Sequence, residues 1–114
     1  MNTKNVDDQK MNLLIKSGDK EKCEQVFKLA QDLCSAENIK MTDVQELSLL
    51  SHLSAMVHRS LTGEKLAPID IALFSEVSGE ALAIAKKVKE SLTHLEEAEI
   101  YLLSIHFEVA KQNS

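Results

Sequence analysis

The sequence predicts an all-α fold, a compact bundle of about five helices, and three observations carry that prediction. Apolar residues recur at three- and four-residue spacing over long stretches. Ser, Thr or Asp precedes several of those stretches, in the position of a helix cap. Three glycines and one proline in 114 residues are too few for the turns of an all-β chain. With 44% apolar residues and only 4% aromatic, the core must be aliphatic. A chain of this length fills one domain and can bury a modest core without metal or disulfide staples.

The first expected helix is short, from about Asp8 to Lys16, after a frayed stretch at 1–7, and it stops at Ser17-Gly18. Residues 1–18 are thus expected as an N-terminal extension, and 19–111 as the helical domain. From Asp19 to about Ala36 the pattern is clear. Cys23, Val26, Phe27, Leu29, Ala30, Leu33 and Cys34 share one face, and Asp19 is placed to cap it. The two cysteines lie ~16 Å apart along that helix, too far for a disulfide. They are expected as buried thiols that act as small hydrophobes.

Thr42 or Asp43 opens the next helix, which runs to about Leu61. Thr42-Asp43-Val44-Gln45 has the spacing of a capping box, and Thr62-Gly63 closes the helix. Glu64–Ile69 is a loop around Pro68. Asp70 is placed to cap a short helix through about Val77, and Ser78 to cap another from Gly79 to about Leu92. Thr93-His94 breaks the pattern, and the last helix covers about Leu95 to Ala110.

Charge excludes several functions. The net charge of -5 at pH 7, without a Lys/Arg block, argues against direct binding to nucleic acid. No apolar run approaches the ~20 residues of a membrane span. The N-terminal MNTKNVDDQK has no signal-peptide core, so a cytoplasmic location is expected. Cofactors are expected to be none, and metal ligands none: HxxxH, HExxH and CxxC are all missing. No catalytic constellation is visible, so the chain is expected not to be an enzyme.

Two polar patterns stand out. On the helix 43–61, Gln45, Ser48, His52 and Arg59 fall on one narrow stripe, a solvated seam or a place to handle an anion. His52 and Arg59 are seven residues apart, and so within ~20° of each other around the axis. On the last helix Glu99 and His106, also seven apart, project into an apolar arc of Ile100, Leu102, Leu103, Ile105, Phe107, Val109 and Ala110. A carboxylate there needs a partner. A histidine there is a satisfied core group, a switch or a reactive imidazole. The matched spacings predict that His52 and His106 lie close together on two packed helices, in one shallow cleft. They also predict that Arg59 reaches Glu99 or a phosphate on the other histidine. His58 and His94 are expected on the surface.

The stretch LLSHLSAMVHRSLTGEKL, Leu49–Leu66, resembles the first signature of the PTS regulation domain through His52, Arg59 and Gly63. EIYLLSIHFEVA, Glu99–Ala110, resembles the second through Glu99, Ile100 and His106, and APIDIALFSEV resembles the proline loop and short helix between them. The resemblance spans about Asp19 to Lys111. It implies a five-helix bundle that dimerises and regulates transcription, as in antiterminators. It also implies His52 and His106 as phosphoacceptors with Arg59 and Glu99 as supporting groups. The implied partners are phosphocarrier or sugar-permease components of the phosphotransferase system. Ser51 departs from the Asp that often precedes the first histidine in this family. With one copy of the domain and no nucleic-acid-binding module in 114 residues, the chain is expected as a short stand-alone member. The alternative is a non-phosphorylated binding or assembly subunit for a co-encoded transporter or enzyme.

Overall fold

Side-chain caps define most of the helix starts. In the computed structural model, which describes residues 3–113, five α-helices follow one another: α1 Thr3–Lys16, α2 Lys20–Ala36, α3 Asp43–Thr62, α4 Gly79–Glu90 and α5 Ala98–Ala110. Asp19 accepts from the Lys22 amide at α2, and Ser78 from the Ala81 amide at α4. At α3 the Thr42 hydroxyl accepts from the Gln45 amide while the Gln45 side chain accepts from the Thr42 amide, a reciprocal capping box. Gly63 ends α3 with φ +78°, and its amide donates to the Arg59 carbonyl. Gly18 turns the chain between α1 and α2 with φ +91°, and a Cβ there would stand 3.1 Å from Leu61 Cδ1.

α3 is the central helix. It packs against α1, α2 and α5, while α4 lies along α5 and also touches α2. Leu49, Leu50, Leu53, Met56 and Val57 of α3 are buried with Val26, Ala30, Ile84, Val88, Leu103 and Phe107. Cys23 and Cys34 are buried free thiols in this core. Burial raises the Cys23 thiol, and it pushes the Cys34 thiol up to about 11 with help from the Glu46 charge.

Several boundaries differ from the sequence reading. α1 begins at Thr3 rather than near Asp8, so 3–7 is helical; residues 1–2 of the expected frayed stretch lie outside the described residues. The inward row of α1 starts one turn early, with Val6 half-buried and Lys10 over the Phe27 ring, ahead of Leu13 and Leu14. After Asp70 only a 3-10 turn forms, Ile71–Phe74, with Ile71 and Leu73 exposed. α5 starts at Ala98, not Leu95. His94 takes a left-handed φ of +62°, and the Glu96 carboxylate accepts the Leu66 amide instead of facing a helix surface. The expected inward arc of α5 also splits. Ile100, Leu103, Phe107 and Ala110 are buried, but Ile105 and Val109 point outward. On α3, Val44 and Leu61 are likewise exposed.

Candidate functional site

α3 and α5 pack side by side, and their two seven-residue spacings interlock. Seven residues advance ~10 Å along a helix with little rotation, so each helix offers two polar groups on one face, two turns apart. His52 meets His106, and Arg59 meets Glu99. Residue number rises along one helix as it falls along the other, so the pair is antiparallel and the contacts form two rungs.

The lower rung is an ion pair. Arg59 Nε donates to Glu99 Oε2 at 2.7 Å and Nη2 donates to Oε1 at 2.8 Å. This two-pronged geometry matches the guanidinium fork to the carboxylate plane. Side-chain exposure is 15% for Arg59 and 2% for Glu99, so water contributes little to satisfying the carboxylate. Glu99 thus sits on the inner face of α5 with its charge answered from α3.

The upper rung is a pair of imidazoles. His52 Nδ1 and His106 Nε2 are 3.0 Å apart, with ring centroids 5.1 Å apart and planes tilted by 60°. Both residues are half-buried. Burial, then the His106 ring and the Arg59 charge, lower the His52 pKa to about 4. Burial lowers that of His106 as well. Both rings are therefore neutral at neutral pH and keep lone pairs for nucleophilic attack or hydrogen bonding.

The rest of the α3 seam is divided among other tasks. Gln45 spends its side-chain carbonyl on the cap of α3 and on the Asn113 amide, and Ser48 faces solvent. His58 and His94 are exposed. A cavity of about 300 Å³ between α1 and α3 brings Lys16, Ser51 and His58 beside Arg59. Sequence reading missed Lys16, because its neighbourhood depends on how α1 docks on α3. Among the described residues no group of three or more His, Cys, Asp or Glu is arranged to hold a metal ion. No described helix is long and apolar enough to cross a membrane.

The chain has known relatives. The sequence profile of the PRD domain matches residues 20–110. The chain belongs to the PRD domain family. A crystal structure of a PRD-containing transcription regulator from Lactobacillus casei ATCC 334 is similar to it throughout. The two share 36% sequence identity with a TM-score of 0.86, over 93% of this chain and 95% of that one. A comparison with curated proteins finds no match. The five-helix architecture is therefore the PRD fold, and the two rungs lie within the matched segment. PRD domains are regulatory units of the phosphotransferase system.

Proposed function

We propose that this PRD domain senses the state of a sugar phosphotransferase system through phosphorylation at His52, His106 or both. The observation that carries the reading is the upper rung: two neutral, half-buried imidazoles in contact across α3 and α5. A neutral imidazole nitrogen attacks the phosphorus of a phosphohistidine donor, and the donor's P–N bond breaks. The incoming group brings up to about two negative charges into a helix contact. It therefore repacks that contact rather than decorating a surface. Arg59 and Glu99 support the site by holding α3 and α5 in register, and Arg59 Nη1 remains for a further partner.

The donors are phosphocarrier or sugar-permease components of the system, acting in the cytoplasm. The domain is a regulator and not an enzyme, and it acts as a homodimer without contacting nucleic acid itself. Support for self-association comes from Ile105 and Val109, which stand exposed on the same helix as His106. The test is phosphate transfer from a reconstituted phosphocarrier cascade. Transfer is expected for the natural chain and should be lost when both His52 and His106 are replaced by Ala. If no transfer occurs, or if neither replacement lowers it, the assembly-subunit reading takes over.

A further inference from the structure

His52 and His106 meet through one specific pair of atoms, Nδ1 of His52 and Nε2 of His106, 3.0 Å apart. Each ring is neutral at neutral pH because of burial. A neutral imidazole carries one N–H and one lone pair. A hydrogen bond between two such nitrogens therefore holds one proton, and two arrangements satisfy it.

In the first, His52 donates from Nδ1. Its outer nitrogen, Nε2, then carries the lone pair. His106 accepts at Nε2, so its own proton lies on Nδ1. In the second, His106 donates from Nε2 and its Nδ1 carries the lone pair. His52 then accepts at Nδ1 and holds its proton on Nε2. In either arrangement one ring, and not both, offers a lone pair away from the contact.

We propose that His52 and His106 form a single acceptor that takes one phosphoryl group at a time, at Nε2 of His52 or Nδ1 of His106, with the other ring receiving the shared proton. This rests on the phosphoacceptor reading above. In the first arrangement the Nε2–P bond forms on His52 as the P–N bond of the donor breaks. The electron pair of that bond returns to the donor nitrogen, which takes a proton from water. The Nδ1 proton of His52 crosses the contact to Nε2 of His106. His52 then carries a neutral ring bearing the phosphoryl group, and His106 is an imidazolium. The second arrangement is its mirror: His106 Nδ1 attacks, and the Nε2 proton passes to His52 Nδ1. Burial disfavours an imidazolium in the resting pair, but the two charges of the new phosphate offset that penalty. The imidazolium has no lone pair, so a second phosphoryl group finds no nucleophile on the partner ring.

The test begins with the natural chain labelled with 15N in histidine. Ring nitrogen shifts at neutral pH should show the same tautomer at both positions, either both Nδ1–H or both Nε2–H, in equal proportions. Potassium phosphoramidate, a small phosphoryl donor, should then add one phosphate across the pair. The linkage is expected at Nε2 on His52 or at Nδ1 on His106. The exposed rings of His58 and His94 are internal controls free of this rule. In His106→Ala both nitrogens of His52 are released, so phosphate should appear on both. A merely structural change would alter the yield and leave the linkage alone.

Opposite tautomers, two phosphates on one pair, or phosphate on the contact nitrogens of the natural chain would overturn the single acceptor. So would a failure of phosphoramidate to label either ring. If phosphoramidate labels one ring as described but no protein donor of the phosphotransferase system does, the single acceptor stands and the proposed function falls.

Discussion

The two rungs between α3 and α5 have the same spacing and nearly opposite physics. Arg59 and Glu99 are unlike charges, almost fully removed from water, and joined by two short hydrogen bonds. His52 and His106 are like groups, half-buried, neutral, and joined by one contact whose donor is set by tautomer. The charged rung cannot lose a partner without stranding a charge in the core, so it fixes the register of the helices. The neutral rung can change its protonation or carry a new group while that register holds. The groups that fix the register and the groups that can change state thus lie two helical turns apart.

The largest expected effect tests the charged rung. Glu99→Ala leaves Arg59 without its carboxylate and should cost about 3 to 5 kcal/mol in denaturant unfolding. Replacing Arg59 and Glu99 together by Met and Leu should recover most of that loss. Apolar pairs of similar volume commonly match or exceed a buried ion pair by about 1 to 4 kcal/mol. A cost below about 1 kcal/mol for Glu99→Ala would place the pair among exposed ion pairs and remove the contrast between the rungs.

Acid should act on the other rung. The folded state holds His52 neutral down to about 4, while its ordinary value is 6.5. Between those values the unfolded chain binds a proton that the folded chain refuses, so folding stability falls as pH drops through that window. The contribution is fully present above about 6.5, is lost by about pH 4, and amounts to at most about 3 kcal/mol. The lowered value at His106 acts in the same direction. Urea unfolding at a series of pH values should show this slope, and it should flatten in His52→Gln. An unchanged slope in that variant would show that the acid response lies elsewhere.

Much of this contrast is legible in the sequence. The 52/59 and 99/106 spacings are visible in the sequence, and a carboxylate in an apolar arc announces its need for a counter-charge. The caps at Asp19, Thr42, Asp70 and Ser78 were legible for the same reason: each is a local hydrogen bond within two or three residues. What stayed hidden depends on tertiary packing. α5 is apolar on nearly every side, so periodicity alone could not say that Ile105 and Val109 face outward. The short reach of the 3-10 turn after Asp70 had no signal in the residues themselves. Neither did the nitrogen pair through which the histidines meet, because ring orientation follows from the packing of α3 on α5.

A turn offers a smaller effect, away from both rungs. Gly18→Ala should cost more than Gly63→Ala, although both glycines have positive φ. The left-handed conformation alone costs an L residue roughly 1 to 2 kcal/mol, and at Gly63 nothing stands within 4 Å of an added Cβ. At Gly18 the added carbon also meets Leu61 Cδ1 at 3.1 Å. Equal losses in thermal unfolding would mean that Leu61, 57% exposed, yields freely.

The smallest effect on folding should accompany the clearest effect on assembly. Ile105 and Val109 are 40% and 47% exposed, on the outer side of α5 next to His106. Roughly half of each residue stays in water within one chain, so Ile105→Ser and Val109→Ser should each cost no more than about 1 kcal/mol. Solvent exposure of two β-branched side chains beside the histidine rung is useful if a second copy covers them. Light scattering at tens of micromolar should then give the mass of two chains for the natural protein, and of one chain for the double Ser variant. A natural chain that is monomeric under those conditions would sink the dimer, and the proposed phosphorylation signal would then have to pass through the packing of α3 and α5 alone. A double variant that remains dimeric would move the contact elsewhere, with the exposed Ile71 and Leu73 of the 3-10 turn as the next surface to change.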